Sequence, residues 1–213
     1  MPPEPAPFRR IGERTRLELG FLTVATGTYV GPDGFTFERD VVRHPGAVCV
    51  VALDDAGAVV CVRQYRSAVD RYVLEIPAGK MDVPDEEPVA CARRELAEEV
   101  GLAAGSLSAL VTFFNSPGFT DETTHCFLAE DLSDVGRSTQ GVEEDHMTIE
   151  RFPLEDLDRL VAAGELVDAK TIIACSTARA MLAARAAAER VASASASPAV
   201  VAAGAARATR AGG

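Results

Sequence analysis

The chain is short of positive charge. Twenty-one Lys and Arg stand against 32 Asp and Glu, for a net charge of -11 and an isoelectric point near 4.8. A nucleic-acid backbone is bound through clustered Lys and Arg that neutralise its phosphates, so nucleic acid is not an expected partner. A small phosphate compound stays open, because a metal ion and a few arginines reverse the field inside a single cleft. Cysteine pairing is absent too: Cys49, Cys61, Cys91, Cys126 and Cys175 are odd in number and scattered, without a C-x-x-C. That excludes a disulfide framework or zinc knuckle and predicts buried thiols in a reducing cytosol. No apolar run approaches the roughly 18 residues that span a bilayer, and MPPEPAPFRR has no apolar signal region, so a cytoplasmic protein without membrane contact is expected. His44, His125 and His146 stand apart from any ligand spacing and are assigned no chemistry. Neither G-x-x-x-x-G-K-[ST] nor G-x-G-x-x-G occurs, which removes the common phosphate loops of ATPases and dehydrogenases.

What is there fits one domain. Hydrophobic residues make up 47% of 213, enough for one sizeable core. Residues 1–12 read as a flexible leader. Residues 14–30 and 35–42 are rich in Thr, Val, Phe and Tyr and flank Gly31-Pro32-Asp33-Gly34, which predicts a hairpin. Strands are expected at 47–53 and 58–65 about Asp54-Asp55-Ala56-Gly57, then at 72–76, 107–114, 123–128 and 147–152. A helix is expected from Pro88, suited to a first helical position, to Gly101, suited to a C-cap, with others at 154–163 and 168–190. From 191 to 213 the chain is Ala, Ser and Gly with scattered Arg and reads as a disordered tail. Strands mixed with few helices predict an α/β or α+β sandwich: an N-terminal antiparallel strand region over 13–45 and a core over 46–190.

The helix after Pro88 carries the chemistry. Val89, Ala92, Leu96 and Val100 repeat with the spacing of one buried stripe, leaving a separate acidic face. On that face Glu95, Glu98 and Glu99 stand at i, i+3 and i+4, so their carboxylates gather. Each like-charge pair costs about 0.2–0.5 kcal/mol in a helix, a cost that a divalent cation turns into a gain. Hard oxygen ligands suit magnesium or manganese. An isolated E-x-x-E-E reads most often as a solvated face. Here the cluster lies one turn from the helix C-terminus, where the macrodipole favours lysine over glutamate, and that placement favours the metal reading.

Glu86, Arg94, Glu95, Leu96, Glu98, Glu99, Gly101 and Leu102 match in register the G-x5-E-x7-R-E-U-x-E-E-x-G-U signature, with U aliphatic, and so the chain resembles the Nudix hydrolases. One departure is visible: six residues, not five, separate Gly79 from Glu86, within the loop before the helix. Pro117 stands sixteen residues beyond Gly101, in Asn115-Ser116-Pro117-Gly118-Phe119-Thr120-Asp121-Glu122, and Glu75-Ile76-Pro77-Ala78-Gly79 leads into the box. Both are similar to the ADP-ribose pyrophosphatase branch, and the resemblance covers residues 21–178.

The resemblance implies a Nudix-type α/β/α sandwich with mixed sheets. It also implies Mg2+-dependent (or Mn2+-dependent) cleavage of ADP-ribose to AMP and ribose 5-phosphate, in a homodimer. It implies Glu95, Glu99 and the Ala78 carbonyl as metal ligands, Glu98 as a ligand or holder of metal-bound water, and an ion pair between Glu86 and Arg94. Glu143, with Glu144 second, is the implied general base. Along residues 63–66, Arg63 and Tyr65 face one side and Gln64 and Arg66 the other; the resemblance points to Arg66 as the phosphate or ribose contact. Glu122 is a candidate on the nucleotide side, and Pro117 belongs to the substrate loop. Two alternatives stay open: hydrolysis of another nucleoside diphosphate sugar, and a non-catalytic module that senses ADP-ribose. The latter would be expected to lose an acid from the box, and this chain keeps all three.

Overall fold

The computed structural model describes residues 7–137 and 146–195, with side chains as far as 193. The chain divides into two units, Met1–Arg179 and Ala180–Gly213; of the second, and of the tail expected over 191–213, the residues from 196 on lie outside the described ones. In the first, β1 (Arg9–Leu19), β2 (Leu22–Val30) and β3 (Thr36–Arg43) form an antiparallel sheet in that order. The predicted turn at 31–34 is present, closed by the Gly31 N–H on the Phe35 carbonyl at 2.9 Å. The single strand expected over 14–30 is instead a second hairpin. Leu19 pairs with Leu22 across Gly20-Phe21, and Gly20 takes φ +49°, a left-handed conformation that glycine adopts without a Cβ clash. β1 also begins inside the segment read as leader.

The larger sheet runs β10-β5-β4-β9-β8, from β4 (Ala47–Leu53), β5 (Ala58–Arg66), β8 (Leu102–Phe114), β9 (Thr123–Asp134) and β10 (Thr148–Pro153). The short strands β6 (Arg71–Glu75) and β7 (Ala78–Lys80) pair with β5 and β4. β4 and β9 are parallel and the other pairs antiparallel, so the sheet is mixed. Both faces of β4 are covered, which is why it reads as an unbroken apolar run with five consecutive buried residues. β8 and β9 extend past their expected ends, pairing Leu102 with Asp134; the small residues there give no period-two signal.

Helix α1 (Pro88–Val100) starts on Pro88 and ends at Gly101, whose φ of +69° is the left-handed cap the sequence predicts. It buries Cys91, Ala92, Leu96 and Val100 against Val48, Val50, Val60 and Val62. Val89 is not part of that stripe; it is 43% exposed in the first turn, and Cys91 takes the inward place. The helix expected at 154–163 is a 3-10 turn followed by α2 (Leu157–Ala162). Helix α3 (Ala169–Ser195) outruns its expected end and continues into the second unit, whose described residues are all helical. All five cysteines are free and buried, and burial pushes the Cys91 and Cys175 thiols up to about 12. Among the described residues no helix is long and apolar enough to cross a membrane.

Candidate active site

A cleft of about 780 Å³ in the first unit collects the ends of several elements. β7 pairs with the start of β4, Val48 opposite Gly79 and Cys49 opposite Ala78, which brings the backbone at 78–79 against α1. The Ala78 N–H donates to Glu99 Oε2 at 3.0 Å. Glu95 occupies the space a side chain would take at Gly79: a Cβ there would lie 1.9 Å from Glu95 Cδ. The loop over 115–122 is held by the end of β3 and the residue after it: the Val42 N–H bonds the Phe119 carbonyl at 2.7 Å and the His44 N–H bonds Asp121 Oδ1 at 3.0 Å. Asn115, Ser116 and Glu122 thereby reach the same cleft.

Arg94 organises the glutamates. Its Nε and Nη2 donate to the two oxygens of Glu86 at 3.0 and 2.9 Å, giving the expected ion pair. Nη1 adds two bonds that the sequence did not foretell, to Glu95 Oε1 at 2.6 Å and Glu98 Oε2 at 3.0 Å. The Glu86 bond, together with Glu95, holds the guanidinium firmly charged, and the same bond holds Glu86 below the usual carboxylate range. The acidic face is not the solvated surface that an isolated E-x-x-E-E most often forms: Glu95 is 9% and Glu99 4% exposed. Glu95 and Glu98 share Arg94 while Glu99 accepts from the Ala78 N–H; among the described residues no cluster of three acidic, His or Cys side chains is gathered as metal ligands. The donor chemistry nonetheless fits a hard divalent ion: carboxylate oxygens on one helix beside half-buried backbone at a residue without a side chain. Replacing Arg94 by Gln is expected to lower stability by about 2 kcal/mol, the range for charged hydrogen bonds, with Mg2+ restoring part of it. Thermal melts with and without the ion check this.

On β5, Arg63 pairs with Glu150 on β10, Nε to Oε1 at 2.6 Å, and Arg66, the one to which the resemblance points, is the arginine that lines the cleft. Gln64 lines it too, and so does Tyr65, which the alternation had placed on the other side. Arg66 is anchored to Glu75 through Nε and Nη2 at 2.8 and 2.7 Å. Lys170 also bonds Glu75, and it bonds Asp168 at 3.0 Å. The sequence shows Glu75 only as part of the approach to the box, and the partnership with Lys170 crosses 95 positions, beyond any local pattern. His44, given no role, lines the cleft with its Nε2 3.8 Å from Glu122 Oε1. The chain's two lysines, Lys80 and Lys170, both lie in the lining. Ala78, Glu95, Glu99, Arg66 and Glu122 are thus brought together. Glu98 is one turn away on Arg94, and Pro117 sits exposed in the Ser116–Phe119 turn beside the lining. Glu143 and Glu144 fall outside the described residues.

Mixed sheets, the capped acidic helix and the glycine-backed cleft define a Nudix fold, and the chain belongs to that family: the NUDIX domain model matches residues 42–175. The sheet β1-β2-β3 lies almost entirely before the match. Among its relatives, the ADP-ribose pyrophosphatase of Bacillus subtilis (strain 168) is 43% identical over 143 residues, covering 67% of this chain and 77% of that protein. The ADP-ribose pyrophosphatase of Mycobacterium tuberculosis (strain ATCC 25618 / H37Rv) is 43% identical over 141 residues, 66% of this chain and 68% of that one. A crystal structure of an ADP compounds hydrolase superposes with a TM-score of 0.74 at 22% identity, covering 85% of this chain and 97% of the other, a likeness of fold.

Proposed function

We propose that this chain hydrolyses the diphosphate of ADP-ribose to AMP and ribose 5-phosphate in a Mg2+-dependent reaction, with Mn2+ as a substitute. The observation that carries the reading is the meeting of the nearly buried Glu95 and Glu99 with Arg66 in one cleft. Its volume lies within the range of small-molecule sites. Glu95, Glu99 and the Ala78 carbonyl would hold the ion, with Glu98 a further ligand or the holder of its water. A bound divalent cation supplies charge neutralisation on the diphosphate. Arg66 binds a phosphate or ribose oxygen through Nη1, the nitrogen that Glu75 leaves unused. Glu143, with Glu144 second, takes the proton from the attacking water; Gln at the true base should slow turnover by about 10²-fold or more. Glu122 contacts the nucleotide side, and Pro117 sets the turn that presents Ser116.

The family match and the two pyrophosphatase relatives support this reading. We read the protein as a cytoplasmic homodimer that joins through its N-terminal sheet. β1 has no buried residue, and its Ile11, Leu17 and Leu19 are each about half exposed, which is unusual for a strand left in water. The deciding assay incubates the protein and Mg2+ with ADP-ribose, ADP-glucose, GDP-mannose, NADH or a diadenosine polyphosphate and separates the products by chromatography. AMP from ADP-ribose is the expected result. Binding of ADP-ribose without AMP release would replace this reading with a sensing module, and faster turnover of another nucleotide sugar would reassign the substrate.

A further inference from the structure

Beneath Arg66 lies a cluster of charges that no catalytic step above uses. Glu75 is 2% exposed at the end of β6. Its Oε1 takes Arg66 Nε, and its Oε2 takes both Arg66 Nη2 and Lys170 Nζ. Lys170 in turn bonds Asp168 Oδ1 at 3.0 Å. Asp168 is fixed by its own work as the cap of α3: Oδ2 accepts the Thr171 N–H at 2.9 Å and the Thr171 hydroxyl at 2.6 Å. The Thr171 hydroxyl closes the circuit by accepting the Ile76 N–H at 3.0 Å, one residue beyond Glu75. Two cations and two anions are thereby locked between β5, β6 and the head of α3.

We infer that Lys170 is a positioning residue for Arg66: by neutralising Glu75 and Asp168 together it keeps the guanidinium pinned from below, with Nη1 left for the substrate. The inference rests on the proposed role of Arg66. The electrostatics give the reason. With Lys170 removed, two carboxylates share one guanidinium, and Arg66 is drawn down between them, away from the cleft. Burial works against the charges on Lys170 and Glu75, yet the pairing outweighs it: Asp168 and Glu75 hold Lys170 above its ordinary value, and Arg66 and Lys170 hold Glu75 below its own. Both groups are therefore ionised at neutral pH, and the cluster works as a neutral unit.

A double-mutant cycle tests this, with KM, kcat and the calorimetric affinity for ADP-ribose measured on each folded variant. Lys170→Met is expected to raise KM about tenfold with kcat changed little, the mark of lost binding common to ground and transition states. Combined with Arg66→Ala it should add nothing to the KM of Arg66→Ala alone, because both act through one guanidinium. Lys170→Arg, which offers donors to both carboxylates, should restore KM to within about threefold. Should Lys170→Met fail to fold, Lys170→Gln keeps hydrogen bonds to both carboxylates without the charge and carries the same expectation. Multiplying effects in the double variant, or a lowered melting temperature with unchanged KM, would overturn the inference and leave Arg66 in its role. An Arg66→Ala variant with parental KM and affinity would instead remove Arg66 as a substrate contact, and the inference with it.

Discussion

Glu99→Gln is expected to lower kcat for ADP-ribose by about 10³-fold. The side chain is 4% exposed and one oxygen is already fixed by the Ala78 N–H. Glutamine fills the same volume, so the fold survives. To keep the Ala78 bond its amide oxygen must point there, which turns the NH2 group toward the position a cation would share. A ligand becomes a repelling donor, and one of the negative charges that would hold the cation is lost. Breaking a buried charge partnership costs about 3–5 kcal/mol, and as lost transition-state stabilisation that is roughly 10²- to 10⁴-fold in rate. Single-turnover measurements across a Mg2+ titration check it; activity within about tenfold of the parent, with the same metal dependence, would take Glu99 out of the ligand set.

Gly79→Ala acts through space rather than charge, and its effect is nearly as large. An added Cβ would meet Glu95 Cδ at 1.9 Å and its oxygens at 2.0 and 2.3 Å. Glu95 has little room to retreat, being 9% exposed and bonded to Arg94. Either β7 lifts from β4 or the carboxylate swings out of the cleft, and both disturb Ala78 and Glu95 together. Overpacking of this kind costs about 1–3 kcal/mol, which corresponds to a fall in melting temperature of roughly 2–10 °C for a domain this size. The rate should fall by about 10²-fold, as expected when catalytic geometry shifts by about an ångström. A variant with parental melting temperature and parental kcat would refute the close-approach argument.

Local chemistry is what the sequence made legible. Pro88 and Gly101 bound α1 because proline suits the first helical position and glycine the left-handed cap, and the apolar run of β4 announced a strand covered on both faces. Val89 was misread because a stripe drawn by spacing alone ignores where the chain enters the helix. Gly20-Phe21 hid its turn inside a run of good strand formers. In the site, the sequence signalled the residues and half of their relations: the Glu86–Arg94 pair was visible, whereas the further reach of Arg94 to Glu95 and Glu98 is a matter of tertiary geometry. Burial of Glu95 and Glu99 likewise depends on β7 folding over α1, which no helical period encodes. Glu75 lies too far along the chain from Asp168 and Lys170 for any pattern to join them.

The placement of the lysines carries one more consequence. Nineteen of the 21 basic side chains are arginine, and the two primary amines line the cleft, Lys80 with its side chain 46% exposed and Lys170 with 17%. Acylating reagents and metabolic acyl donors, which attack the neutral amine and spare guanidinium groups, therefore find one accessible side-chain target, Lys80 in the cleft lining, while Lys170 stays protonated between Glu75 and Asp168. For this protein, lysine acylation reports on the cleft and not on the outer surface.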